Sequence, residues 1–160
     1  MRAATEGEFS TGQPYLRLGQ GPPLVVASSL SPRHANRTGV RRRMTLAWAA
    51  SFAEHFTVYL VNRRPGLAPG TTIADLAADY ASAIEHDLGE PVPVHGTSSG
   101  GTIGLQLAID RPELVTRMVV SAAACRLTPE ARAAPPSSSG RWGGWPGTWR
   151  TRSTPTWWSR

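Results

Sequence analysis

Apolar residues along this chain fall into two alternating kinds of run. Short stretches of uninterrupted apolar or β-branched residues stand at 24–27 (Leu-Val-Val-Ala) and 56–61 (Phe-Thr-Val-Tyr-Leu-Val). Runs of that length without polar alternation suit strands buried on both faces, as in a parallel sheet. Weaker strand candidates are 14–18, 92–95 and 117–121. Between them, apolar positions recur at helical spacing. Residues 40–55 predict a helix with Met44, Leu46, Ala47, Ala50, Phe52 and Ala53 on its apolar surface. Residues 72–88 predict another, with Ile73, Leu76, Ala77, Tyr80, Ile84 and Leu88 on one face. Thr72 is placed to cap it, Asp75 sits in its first turn and Gly89 can end it. A third helix is expected over 100–110. Strands alternating with helices argue for an α/β fold: a mostly parallel sheet with helices on both faces.

The pattern stops near residue 132. From Ala133 the text is Ala-Ala-Pro-Pro-Ser-Ser-Ser-Gly-Arg-Trp-Gly-Gly-Trp and onward, with five of the six tryptophans but no aliphatic residue larger than alanine. Such a segment lacks a hydrophobic period and cannot build a core, so 1–132 is expected to fold and 133–160 to be a disordered tail. All 17 basic residues are arginine. That bias, with so much alanine, glycine and proline, points to GC-rich codons, and a change of reading frame near Ala133 would account for the tail. Residues in another frame of the locus that continue the strand–helix pattern would support this hypothesis; their absence would sink it.

Charge changes the picture little. The net +6 comes largely from the tail: residues 1–133 hold 13 arginines against 11 acids, and the rest adds four arginines with no acid. A nucleic-acid reading through an Arg/Trp tail is the weaker rival, with salt-dependent binding of single-stranded DNA as its signature. The cluster Arg41-Arg42-Arg43 opens a helix and reads as a solvated face. Cys125 is alone, so neither a disulfide framework nor a metal cluster is expected. With no apolar leader core and no stretch of roughly 20 apolar residues, the expectation is a soluble cytoplasmic protein.

One motif carries chemistry. Gly96-Thr97-Ser98-Ser99-Gly100 is a G-x-S-x-G set between an apolar strand and an apolar helix, the strand–turn–helix that a nucleophile elbow requires. A tight turn there presents the Ser98 hydroxyl above the strand end. Gly96 and Gly100 remove side chains that would collide across it. The helix N-terminus faces the serine and favours a developing anion. The plainer reading is a structural turn. A P-loop is excluded because Thr102, not Lys, follows Gly101, and the glycines do not give G-x-G-x-x-G.

With these residues in view, the chain from 15 to about 128 resembles the N-terminal half of the α/β-hydrolase fold family. The strongest stretch is 93–124, where His95-Gly96-Thr97-Ser98-Ser99-Gly100-Gly101 leads into Leu105-Gln106-Leu107-Ala108 and Arg111-Pro112-Glu113-Leu114-Val115. Asn62-Arg63-Arg64-Pro65-Gly66 is similar to the family's D-x-R-G-x-G loop. The resemblance implies an incomplete α/β-hydrolase fold with Ser98 as nucleophile. It also implies an oxyanion hole formed by the backbone N–H of Ser99 and, where the family has His-Gly-X but this chain has Ser28-Ser29-Leu30, that of Leu30. No cofactor and no metal are implied. The substrate would be a small acyl compound (an ester, amide or related molecule), with neither nucleic acid nor membrane as partner.

In the family's order, the catalytic acid and histidine follow the nucleophile. Here no histidine follows His95 and no aspartate follows Asp110. His95 precedes the elbow, Asp110 ends the following helix and His34 lies in an earlier loop, so structural roles are expected of all three. A serine hydrolase impaired by truncation is therefore the expectation, and an inactive fragment or binding module keeping the half-fold is the alternative. The strand at 117–121 would be an exposed sheet edge open to self-association.

Overall fold

The computed structural model describes residues 4–29, 31 and 34–123; the expected tail, 133–160, lies outside them. The described residues build one six-stranded sheet, in the order β1-β2-β4-β3-β5-β6. The strands are β1 (Thr5–Glu8), β2 (Pro14–Leu18), β3 (Pro23–Ala27), β4 (Thr57–Val61), β5 (Val92–Thr97) and β6 (Val115–Ser121). β4, β3, β5 and β6 run parallel, while β1 and β2 form an antiparallel hairpin that pairs with β4. The mostly parallel α/β sheet is as expected.

The uninterrupted apolar runs are explained by two cores. On one face Val25, Ala27 and Val61 pack with helices α2 (Ile73–Ala83) and α3 (Ser99–Asp110). On the other, Leu24, Val26, Val58 and Leu60 pack with Leu16, Leu18 and Ala49 of helix α1 (Gly39–Ala49). Neighbouring residues of β3 thus serve opposite cores, which is why the run never alternates with polar positions.

Three details differ from expectation. β1 carries two glutamates and a glycine, so composition gave no strand signal; register with β2 makes it, pairing Glu6 with Leu16. α1 ends at Ala49 and passes into a 3-10 turn, Phe52–Glu54, rather than continuing to residue 55. Met44, expected on its apolar surface, is 68% exposed, and burial centres on Ala49. α2 follows the reading closely. Thr72 and Asp75 form a reciprocal capping box, and Gly89 terminates the segment in the left-handed region at φ 73°. Its last turn, Ile84–Leu88, widens to π geometry, closed by Gly89 N–H donating to Ile84 C=O at 2.9 Å. Among the described residues no helix is long and apolar enough to cross a membrane.

Candidate active site

β5 ends at Thr97 and α3 begins at Ser99, leaving one residue for the reversal of direction. That residue is Ser98, at φ 55° and ψ −127°. A non-glycine residue rarely adopts a positive φ, and such strain costs about 1–3 kcal/mol. Tertiary contacts hold it there. Ser98 N–H donates to Ser121 C=O of β6 at 2.9 Å, and Ser98 C=O accepts from Gly101 N–H at 2.9 Å. The Ser98 side chain makes no cap hydrogen bond to α3, and the residue is exposed.

The two motif glycines are set by close approach. A methyl group on Gly100 would lie 2.1 Å from the Ala27 carbonyl oxygen, and one on Gly96 would lie 2.5 Å from the Gly101 Cα. The first contact wedges the start of α3 against the end of β3; the second folds the elbow onto itself. Gly96, Ser98, Ser99 and Gly100 are thereby brought together at the carboxyl ends of the parallel strands. Ligands of open α/β sheets bind at that end. Leu30, expected to supply the second oxyanion donor, lies outside the described residues. Ser28 and Ser29, which precede it, leave β3 at the same end, beside Gly100.

The other candidates are placed elsewhere. His95 is buried on the α1 face, its ring 5.3 Å from that of Trp48 and 6.1 Å from that of Phe52. Burial pushes its pKa below the ordinary histidine value, and its Nδ1 has no hydrogen-bond partner among the described residues. Asp110 closes the far end of α3, accepting from Gln106 Nε2 at 2.9 Å; a helix of 12 residues puts it about 17 Å from Ser98. His34 stands near Arg63 and Arg64, with burial first and the Arg63 charge second lowering its pKa. Arg42 pairs with Glu6, so the arginine cluster supports the β1 hairpin. A cavity of about 220 Å³ between α2 and α3 is lined by Ala77, Ala81, Leu107 and Asp110. Because it lies at the Asp110 end of α3, it does not serve Ser98.

Sequence reasoning did not single out Arg63. It follows β4, is 4% exposed, and its Nη2 donates to Ser99 Oγ at 2.9 Å. It lies two residues past the end of β4, and nothing in the local sequence marks it for burial. Arg64, by contrast, pairs with Asp79 at 2.8 Å. Among the described residues no cluster of metal-ligating side chains occurs.

Comparison with known proteins agrees with this geometry. No family model matches the chain. A hydrolase of Pseudomonas aeruginosa PA01 superposes with a TM-score of 0.63 at 24% identity, covering 81% of this chain and 49% of that one. An α/β hydrolase from Sphaerobacter thermophilus DSM 20745 gives a TM-score of 0.52 at 30% identity, over 72% of this chain and 44% of its own. A homoserine O-acetyltransferase of Thermus thermophilus is 43% identical over 65 residues, 41% of this chain and 17% of that protein. The chain spans less than half the length of each of these relatives. With the sheet order, the strand–turn–helix at Ser98 and these likenesses, the chain has the α/β-hydrolase fold, of which it carries the N-terminal portion.

Proposed function

We propose that this chain carries the nucleophile half of a serine hydrolase site. Ser98 would attack the carbonyl carbon of an ester, amide or related acyl compound. The observation that carries the reading is Ser98 itself: an exposed hydroxyl on a strained positive-φ residue between β5 and α3. Strain of this kind persists where surrounding structure enforces it, and it clusters at reactive sites. The tetrahedral oxyanion would be met by the N–H of Ser99 and by the loop after β3, with Leu30 N–H as the second donor. Hydrolysis and acyl transfer share this half of the chemistry, and the relatives include proteins named for each.

Turnover by the 160-residue chain is expected to be weak. No histidine follows His95 in it, and the geometry of His34, His95 and Asp110 supports structural roles for them. A serine without its base loses on the order of 10⁶-fold in rate. The alternative, a binding module keeping the half-fold, is favoured by the same absence. A fluorophosphonate probe separates the two. Slow labelling abolished by Ser98→Ala supports an activated serine, whereas no labelling above that variant supports the binding module. Esterase turnover near 10 s⁻¹, the ordinary enzyme range, that is lost in Ser98→Ala would overturn the claim of impairment.

A further inference from the structure

Arg63 is a buried cation without a counter-charge. Among the described residues no carboxylate touches it, since Asp79 on the neighbouring helix is held by Arg64. Its Nε is buried and has no hydrogen-bond partner among the described residues. The titratable groups set against it, Tyr80 and His34, supply no negative charge to balance it. The Tyr80 phenol, buried and donating to Val61 C=O at 3.2 Å, has its pKa raised by burial. His34 has its own lowered.

The guanidinium is aimed at the first turn of α3, with Nη2 on Ser99 Oγ at 2.9 Å. That turn contains no acidic residue, and the Ser98 side chain does not cap it. The N-terminus of a helix carries roughly half a positive charge. A buried guanidinium set against it is repelled, and among the described residues no carboxylate offsets either charge. An anion bound by both offsets both costs. The planar edge of an arginine, with Nε and Nη donating in parallel, matches a carboxylate.

We propose that Arg63 and the first turn of α3 form a carboxylate-binding site beside Ser98, for a carboxylate borne by the acyl ligand. Calling the ligand acyl rests on the reading of Ser98 given above; the binding itself does not. The carboxylate has two possible sources, the acid released by hydrolysis or a second acid group on the substrate.

The test is a titration of the Ser98→Ala chain, which cannot turn over an ester. Sodium acetate, monomethyl succinate and dimethyl succinate are each added at constant ionic strength against sodium chloride, while the backbone N–H resonance of Ser99, in the first turn of α3, is followed in this chain and in its Arg63 variants. Saturable shifts with acetate support the acid product as ligand, and shifts with monomethyl succinate alone support a second acid group. Arg63→Met is expected to weaken binding at least about tenfold, the usual worth of a charge-assisted pair. Should that variant fail to fold, Arg63→Lys, which keeps the charge but loses the fork, is expected to show a smaller loss. The proposal is overturned if chloride and the carboxylates shift the resonance alike, if dimethyl succinate binds as well as its monoester, or if affinity survives replacement of Arg63. Failure of the Ser98 reading would show separately, as absence of fluorophosphonate labelling in the unmodified chain.

Discussion

A methyl group at Gly100 would sit 2.1 Å from the Ala27 carbonyl oxygen, and that oxygen belongs to backbone that cannot rotate away. Gly100→Ala must therefore push α3 off the end of β3. Overpacking of this kind costs about 1–3 kcal/mol or more, and a loss in that range should appear in urea unfolding. An unchanged midpoint would show that the elbow has more room than its geometry indicates. His95 makes a second residue-scale prediction. Buried against the Trp48 and Phe52 rings, its imidazole has its pKa lowered below the ordinary 6.5 by burial. The unfolded chain then binds more protons than the folded one below about pH 6.5, so stability must fall as pH drops through that value. His34 acts in the same direction. His95→Phe keeps the stack, removes the unpartnered Nδ1 and should flatten part of this pH dependence. A variant with the full slope would place the titration elsewhere.

At the scale of elements, legibility followed how much a segment says about itself. α2 was readable end to end because its signals are local: Thr72 and Asp75 close the capping box, and Gly89 takes the left-handed turn. Removing the cap with Thr72→Ala should cost about 1 kcal/mol, measured as a lower thermal midpoint; no change would mean packing alone fixes the helix start. The elbow was equally legible, because G-x-S-x-G between strand and helix specifies a turn at one residue. β1 was not legible. Thr5–Glu8 has no strand composition and exists through pairing with β2 and the Arg42–Glu6 contact, both distant in sequence. α1 misled for a related reason. Its apolar residues are spread around the helix, so the periodicity did not say that Ala49 rather than Met44 would face the sheet. Arg63 escaped notice because burial of a single charged side chain is decided by the sheet around it, beyond the reach of any window along the sequence.

At the scale of the whole molecule, the consequence lies at the sheet's edge. β6 is the last strand of the sheet among the described residues, where it pairs with β5 alone. Val119 is 58% exposed and Val120 39%. The two point to opposite faces: Val120 reaches toward Gly101 of α3, leaving Val119 on the other face, in register with His95 of β5. An apolar edge strand without charge between Arg117 and Ser121 is a template for pairing with another chain. The chain is therefore expected to associate as concentration rises, by edge-to-edge pairing of β6 with a second copy. Val119→Lys puts a charge on the open face without touching the α3 contact, and should raise solubility and shift sedimentation toward the monomer. Lysine at Val120 should instead cost stability, because that side chain packs on α3. The contrast between the two variants is the decisive measurement. If Val119→Lys leaves association unchanged, or if the unmodified chain is a monomer at every concentration with a cooperative thermal transition, β6 is not the surface through which copies meet.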